Sequence, residues 1–200
     1  MKAVLQRVKS ASVTVDEKLV SSIGKGILVL AGVGKGDTEK DADSLINRIL
    51  KARLWPDEGS GGQWKKNVQD LEGEILCVSQ FTLYGQLKKG SKPDFHDAAD
   101  VETARRLYDY FFQRLRAAYK PERVKNGVFQ AMMDVELKND GPVGVNYRSA
   151  DAAVTIEINT QMPKKEKKKP NEGSESQTPA ESTEDDKKSY EFKLPASLLE

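Results

Sequence analysis

"GKGILVLAGVGKGDTEKDADSLINRIL" (residues 24–50) changes period halfway, and that change decides the fold class. As far as Asp37 it is an apolar run bracketed by glycines, the pattern of a central strand. From Thr38 onward Ala42, Leu45, Ile46, Ile49 and Leu54 recur at helical spacing, and Thr38 with Asp41 has the form of a capping box. A helix is predicted over 38–54, closed by Trp55-Pro56.

The same reading extends in both directions. Before residue 24, Val4, Gln6 and Val8 alternate with Leu5 and Arg7, and a polar "DEK" separates Val15 from Leu19, which predicts strands in antiparallel hairpins. Beyond the helix, a glycine-rich loop "DEGSGG" leads to "EILCVSQFTLYG", read as one strand over 74–85. A second helix is predicted over 97–119, with Val101, Ala104, Tyr108, Phe111, Phe112, Leu115 and Ala118 as its core stripe. Phe129 through Leu137 reads as a further strand and "AVTIEIN" (153–159) as the last. Five to seven strands and two long helices give an α+β domain, a mostly antiparallel, barrel-like sheet packed against helices. That domain spans residues 1–159. Residues 160–200 carry "KKEKKK" and "ESTEDD" with too few apolar groups to offset ordering entropy, so they read as a charged, disordered tail.

Composition narrows the chemistry. The 32 Lys and Arg nearly balance 31 Asp and Glu, leaving a net charge of +1 and no global field for nucleic acid. A single cysteine, Cys77, and a single histidine, His96, leave too few ligands for most zinc sites and permit a catalytic triad only at His96. No apolar run reaches spanning length and the amino terminus lacks a signal-peptide core, so a soluble, cytoplasmic protein without membrane contact is expected.

Local motifs then leave alternatives. "GVGKGD" (32–37) resembles a phosphate-cradling loop but lacks P-loop spacing, and a plain strand-to-helix turn is favoured. Cys77, between Leu76 and Val78, reads as an inert buried thiol. The loop "YGQLKKGSKPDF" offers Lys88, Lys89 and Lys92 between aromatics, suited equally to a phosphate backbone or to solvent. If strand alternation holds through 78–84, Ser79 and Thr82 point to opposite faces, and neither has an assured base. The residues alone support an α+β domain with a polar spot on a strand.

"MKAVLQRV" (1–8), "LWPDEGSGGQWKKNVQD" (54–70), "SQFTLYG" (79–85), "KKGSKPDFHDA" (88–98) and "NDGPV" (139–143) resemble, in that order, the motifs of the D-aminoacyl-tRNA deacylases. The resemblance runs from Met1 to Asn159. It implies hydrolysis of the ester between a D-amino acid, or glycine, and the terminal ribose of tRNA. It further implies a homodimer with active sites at the subunit interface and no cofactor or metal. Ser79, Gln80, Phe81 and Thr82 match the catalytic motif. Gly141 and Pro142 match a Gly-cisPro pair that enters the partner's site and excludes L-amino acids. By the same carry-over, main-chain N–H groups around Gln80 and Phe81 serve as oxyanion donors. Arg7, Val143 and Thr155 become supporting residues, and Lys88, Lys89 and Lys92 become tRNA contacts. One departure stands out. Residue 144 is Gly where the family pattern has Thr, and the matching threonine is Thr155, displaced by residues 144–154. This is either an elaboration that loops away or an error in the coding sequence. A rival reading from another class is a nucleic-acid-binding or scaffold protein of the same fold, working through its charged tail.

Overall fold

The computed structural model describes residues 1–57, 59, 64–87, 90–141 and 154–161. They form seven strands and two α-helices: β1 (Lys2–Val15), β2 (Lys18–Ile23), β3 (Gly26–Gly32), α1 (Glu39–Lys51), β4 (Glu74–Ser79), α2 (Val101–Ala118), β5 (Val124–Asn126), β6 (Asp134–Asn139) and β7 (Thr155–Asn159). Residues 162–200, almost all of the expected tail, lie outside the described residues, as do Pro142, Val143 and 144–153.

Strand β1 is the spine of the sheet. It pairs antiparallel with β3 and β7 over its first half and with β2 and β6 over its second. The other pairings, β3 with β4 and β4 with β5, are parallel. Parallel neighbours need a long crossover, and α1 and α2 supply the two. The sheet is therefore mixed, with its parallel part where the helices cross. β3 lies at its centre and is buried on both faces, which explains its unbroken apolar run. Ile27, Val29 and Ala31 join the core under α1 and α2, while Leu28 joins a second core with Val8, Val13, Leu76 and Val78. Around that second core the sheet curls into a nearly closed barrel, with the Ser21 hydroxyl of β2 donating to the Asn126 carbonyl of β5 (2.8 Å).

Both helices form where predicted, with shorter ends. In α1 the Asp41 carboxylate accepts from the Thr38 amide and hydroxyl, each at 2.9 Å. Burial would raise the Asp41 pKa, but these bonds, together with one from Thr160, hold it below the ordinary carboxylate value. In α2 the Asp100 carboxylate caps the Thr103 amide at 3.0 Å. Leu107, Tyr108, Phe111 and Leu115 are buried, whereas the predicted Val101 is exposed.

Two predicted strands are corrected. β4 stops at Ser79, and Phe81–Tyr84 is a 3-10 turn. The alternation expected through residue 84 fails because Gln80 is the last residue to pair with β3, its amide bonding the Ala31 carbonyl (2.8 Å). The strand expected from Phe129 begins at Asp134. The preceding segment turns at Gln130, whose φ of 64° lies in the left-handed region that no strand continues.

Candidate active site

The end of β4, the start of α2 and the turn before β6 enclose a cavity of about 610 Å³. Ser79, Gln80 and Phe81 line one wall, while Phe129 and Met133 line another. The sequence reading missed that second wall, because its apolar residues passed for a strand. Their one distinguishing signal is the unfavourable turn at Gln130, which composition does not display.

At the edge of this cavity the chain changes from strand to 3-10 turn, leaving main-chain donors unused. The first amides of a helical turn have no acceptor within it. Here the Phe81 and Thr82 amides meet no acceptor among the described residues. The Gln80 amide is committed to β3, so the free donors sit one residue later than expected. Ser79 is half-buried and Thr82 exposed, and the Thr82 hydroxyl accepts from the Gln80 side-chain amide. Phe81 is 60% exposed and meets Phe95 edge-on at 5.2 Å. His96 is exposed and bonded to Asp94. Burial pushes the Cys77 thiol up and keeps it inert.

The loop after this turn is closed at its base by paired main-chain bonds between Gln86 and Asp94 (2.8 and 2.9 Å). Lys92 projects from it exposed, while Lys88 and Lys89 lie outside the described residues.

The second part of the predicted site lies where β6 gives way to β7. Arg7 is 3% exposed. Its Nη1 donates to the Leu54 carbonyl (2.6 Å), its Nη2 to the Asp140 carbonyl (3.1 Å), and its Nε pairs with the Asp140 carboxylate (3.1 Å). Its main chain works in the same place. The Arg7 amide donates to the Val154 carbonyl (3.0 Å), and its carbonyl accepts from the Asp140 amide (3.1 Å). One residue thus fastens both ends of segment 141–153.

Gln6 repeats this with its side chain, donating to Asn139 and accepting from the Thr155 hydroxyl. Sequence reasoning passed over Gln6, an ordinary alternating position. Gly141 has a φ of 110°, a conformation suited to glycine, and its carbonyl accepts from the Asn139 side chain. Register measures the interruption. Asn139 lies opposite Val8 and Thr155 opposite Gln6, so the β6–β7 side carries fourteen residues too many. Residues 144–154 account in number for all but three of them.

Residues 4–148 match the family model D-Tyr-tRNA(Tyr) deacylase. The chain is 54% identical over 148 residues to a D-aminoacyl-tRNA deacylase of Yarrowia lipolytica, covering 74% of this chain and 96% of that one. It is 50% identical over 151 residues to the Drosophila melanogaster D-aminoacyl-tRNA deacylase, covering 76% and 94%. Among solved structures, "c-Myc DNA Unwinding Element Binding Protein" superposes with a TM-score of 0.71 at 47% identity, covering 80% of this chain and 98% of that one. The family-model match includes residues 79–82 of the cavity wall together with Arg7 and Asp140, and the chain belongs to the D-Tyr-tRNA(Tyr) deacylase family of hydrolases.

Proposed function

We propose that this protein hydrolyses the ester of D-aminoacyl-tRNA, and of glycine mischarged onto a non-cognate tRNA, releasing tRNA and the free amino acid. The observation that carries the mechanism is the pair of unpaired amides at Phe81 and Thr82 beside an apolar cavity. The substrate ester is already activated. Its carbonyl oxygen gains charge in the transition state, and two fixed N–H donors stabilise that charge by several kcal/mol, about 3–4 for each donor in comparable sites. The terminal ribose 2′-hydroxyl assists the attacking water, so no protein base is required. The cavity takes the terminal nucleoside against Phe129 and Met133, and Ser79, Gln80 and Thr82 orient the ester. Lys88, Lys89 and Lys92 lie along the acceptor end.

In this reading the protein works as a cytoplasmic homodimer. Gly141 and Pro142 of the partner subunit close the site and leave no room for an L side chain. Support comes from Arg7, Gln6 and Thr155, which hold the strand ends on either side of the pair. Val143 is assigned a supporting role beside them. The test is deacylation of D-tyrosyl-tRNA against L-tyrosyl-tRNA by the full chain. Rapid release from the D form alone is expected, and inactivity on both rejects the reading.

A second reading, a nucleic-acid-binding or scaffold protein of the same fold, is favoured by the solved relative whose name refers to binding a DNA unwinding element. In its tail-driven form the charged tail binds nucleic acid and the domain is its scaffold. Truncation after Asn159 separates the two, leaving a deacylase active and a tail-driven binder without affinity.

A further inference from the structure

The glycine-rich turn between β3 and α1, favoured above as a plain turn, ends in a carboxylate with a specific position. Among the described residues the buried charged side chains are Arg7 and Asp37. Asp37 Oδ2 accepts from the Gly34 amide (2.6 Å) and from the Tyr84 hydroxyl (3.0 Å). Its Oδ1 accepts from the Met1 ammonium (2.5 Å) and from Gln161 Nε2 (2.8 Å). Four donors from four separate segments meet one carboxylate. Burial, with Asp37 beside it, pushes the Tyr84 phenol up, so the hydroxyl stays protonated and donates.

Tyr84 is the last residue of the 3-10 turn that carries the free Phe81 and Thr82 amides. The turn's first end is fixed by the Gln80 amide on Ala31. Its second end is fixed by Tyr84. The phenol ring lies so close to Gly34 that a Cβ there would fall 2.4 Å from its carbons, which makes glycine necessary at that position. Lys2 sits over the same ring at 4.6 Å and donates to the Leu83 carbonyl at 3.4 Å.

Building on the deacylase reading, we infer that Asp37 is a positioning residue for the reaction, which acts through Tyr84 to hold the Phe81 and Thr82 amides in place. The turn is exposed at Phe81 and Thr82 and bears on the core through Tyr84. A shift of about 1 Å in catalytic groups costs on the order of a hundredfold in rate, so a partial loosening has a measurable cost.

The test is Tyr84→Phe, which removes the hydroxyl and keeps the ring. On D-tyrosyl-tRNA, kcat falls about tenfold while KM stays within about threefold, and amide hydrogen exchange quickens at Leu83 and Gly85, whose amides bond the Gln80 and Thr82 carbonyls. Asp37→Asn combined with Tyr84→Phe lowers kcat no further than Asp37→Asn alone, because both cut one link. Tyr119→Phe is the control, since its hydroxyl also donates to a buried carbonyl, that of Gly73 (2.9 Å), away from the cavity. An equal kcat loss in that control assigns the effect to general stability and overturns the inference. So does an unchanged kcat in Tyr84→Phe. A wild-type chain that releases no D-amino acid fails the deacylase reading itself, while exchange at Leu83 and Gly85 still reports whether the strut exists.

Discussion

Arg7, within β1, and Asp37, just before α1, carry opposite charges, and both are buried. Each fastens one half of the candidate site, by different means. Arg7 grips backbone directly, its guanidinium on the Asp140 and Leu54 carbonyls and its own main chain on Asp140 and Val154. Asp37 grips through an intermediate, reaching the 3-10 turn by the Tyr84 hydroxyl. A direct grip couples the site to folding, since an unpaired buried charge is costly. An indirect grip can be released while the fold stays intact. If the reacting groups are backbone, as proposed, the difference shows two ways in which a buried charge can hold backbone geometry.

Arg7→Leu tests the direct grip and has the largest expected effect. It strands the Asp140 carboxylate and the Leu54 carbonyl, and stability in urea falls by about 3–5 kcal/mol, with deacylation lost as well. A variant of normal stability breaks the comparison, because Arg7 would then be no more structural than Tyr84. Tyr84→Phe comes next, with its roughly tenfold loss in kcat on a stable fold. Smaller still is Thr82→Ala, which keeps kcat within about tenfold because its amide remains. Total loss with intact folding would restore a hydroxyl nucleophile. Lys92→Glu has the smallest effect, raising KM about threefold at low salt and little at high salt. An effect independent of salt would remove that lysine from the tRNA path.

The sequence made the central strand and α1 legible because burial imposes a period, as Leu45, Ile46 and Ile49 display. The capping box was legible because Thr38 and Asp41 are close in the chain. Two features were hidden for the same physical reason, that their partners are distant. The pairing of β4 with β3 ends at Gln80, and nothing in "SQFTLY" marks that position, so a turn passed for a strand. Asp37 acquires its role from Met1, Tyr84 and Gln161, which meet only after folding. Of the site, Ser79 to Thr82 and Arg7 were named through family resemblance, which carries no geometry. The structure then moved the free donors from Gln80 and Phe81 to Phe81 and Thr82. Gln6 was overlooked because its position, between Leu5 and Arg7, fits a strand without further explanation. The displaced Thr155 was found by pattern, and its bond to Gln6 now places it beside the Gly141 junction.

The central claim is that main-chain N–H groups, rather than side chains, do the chemistry. Comparing Phe81→Pro with Phe81→Ala tests it most directly. Both remove the exposed ring, and proline alone also removes the amide. Gln80 (φ −143°, ψ 86°) lies outside the helical region that proline disfavours in the residue before it, and the first position of a helical turn accepts proline. With both variants folded, kcat on D-tyrosyl-tRNA is predicted to be about 10²–10³ lower for Phe81→Pro than for Phe81→Ala. Equal rates would contradict the account.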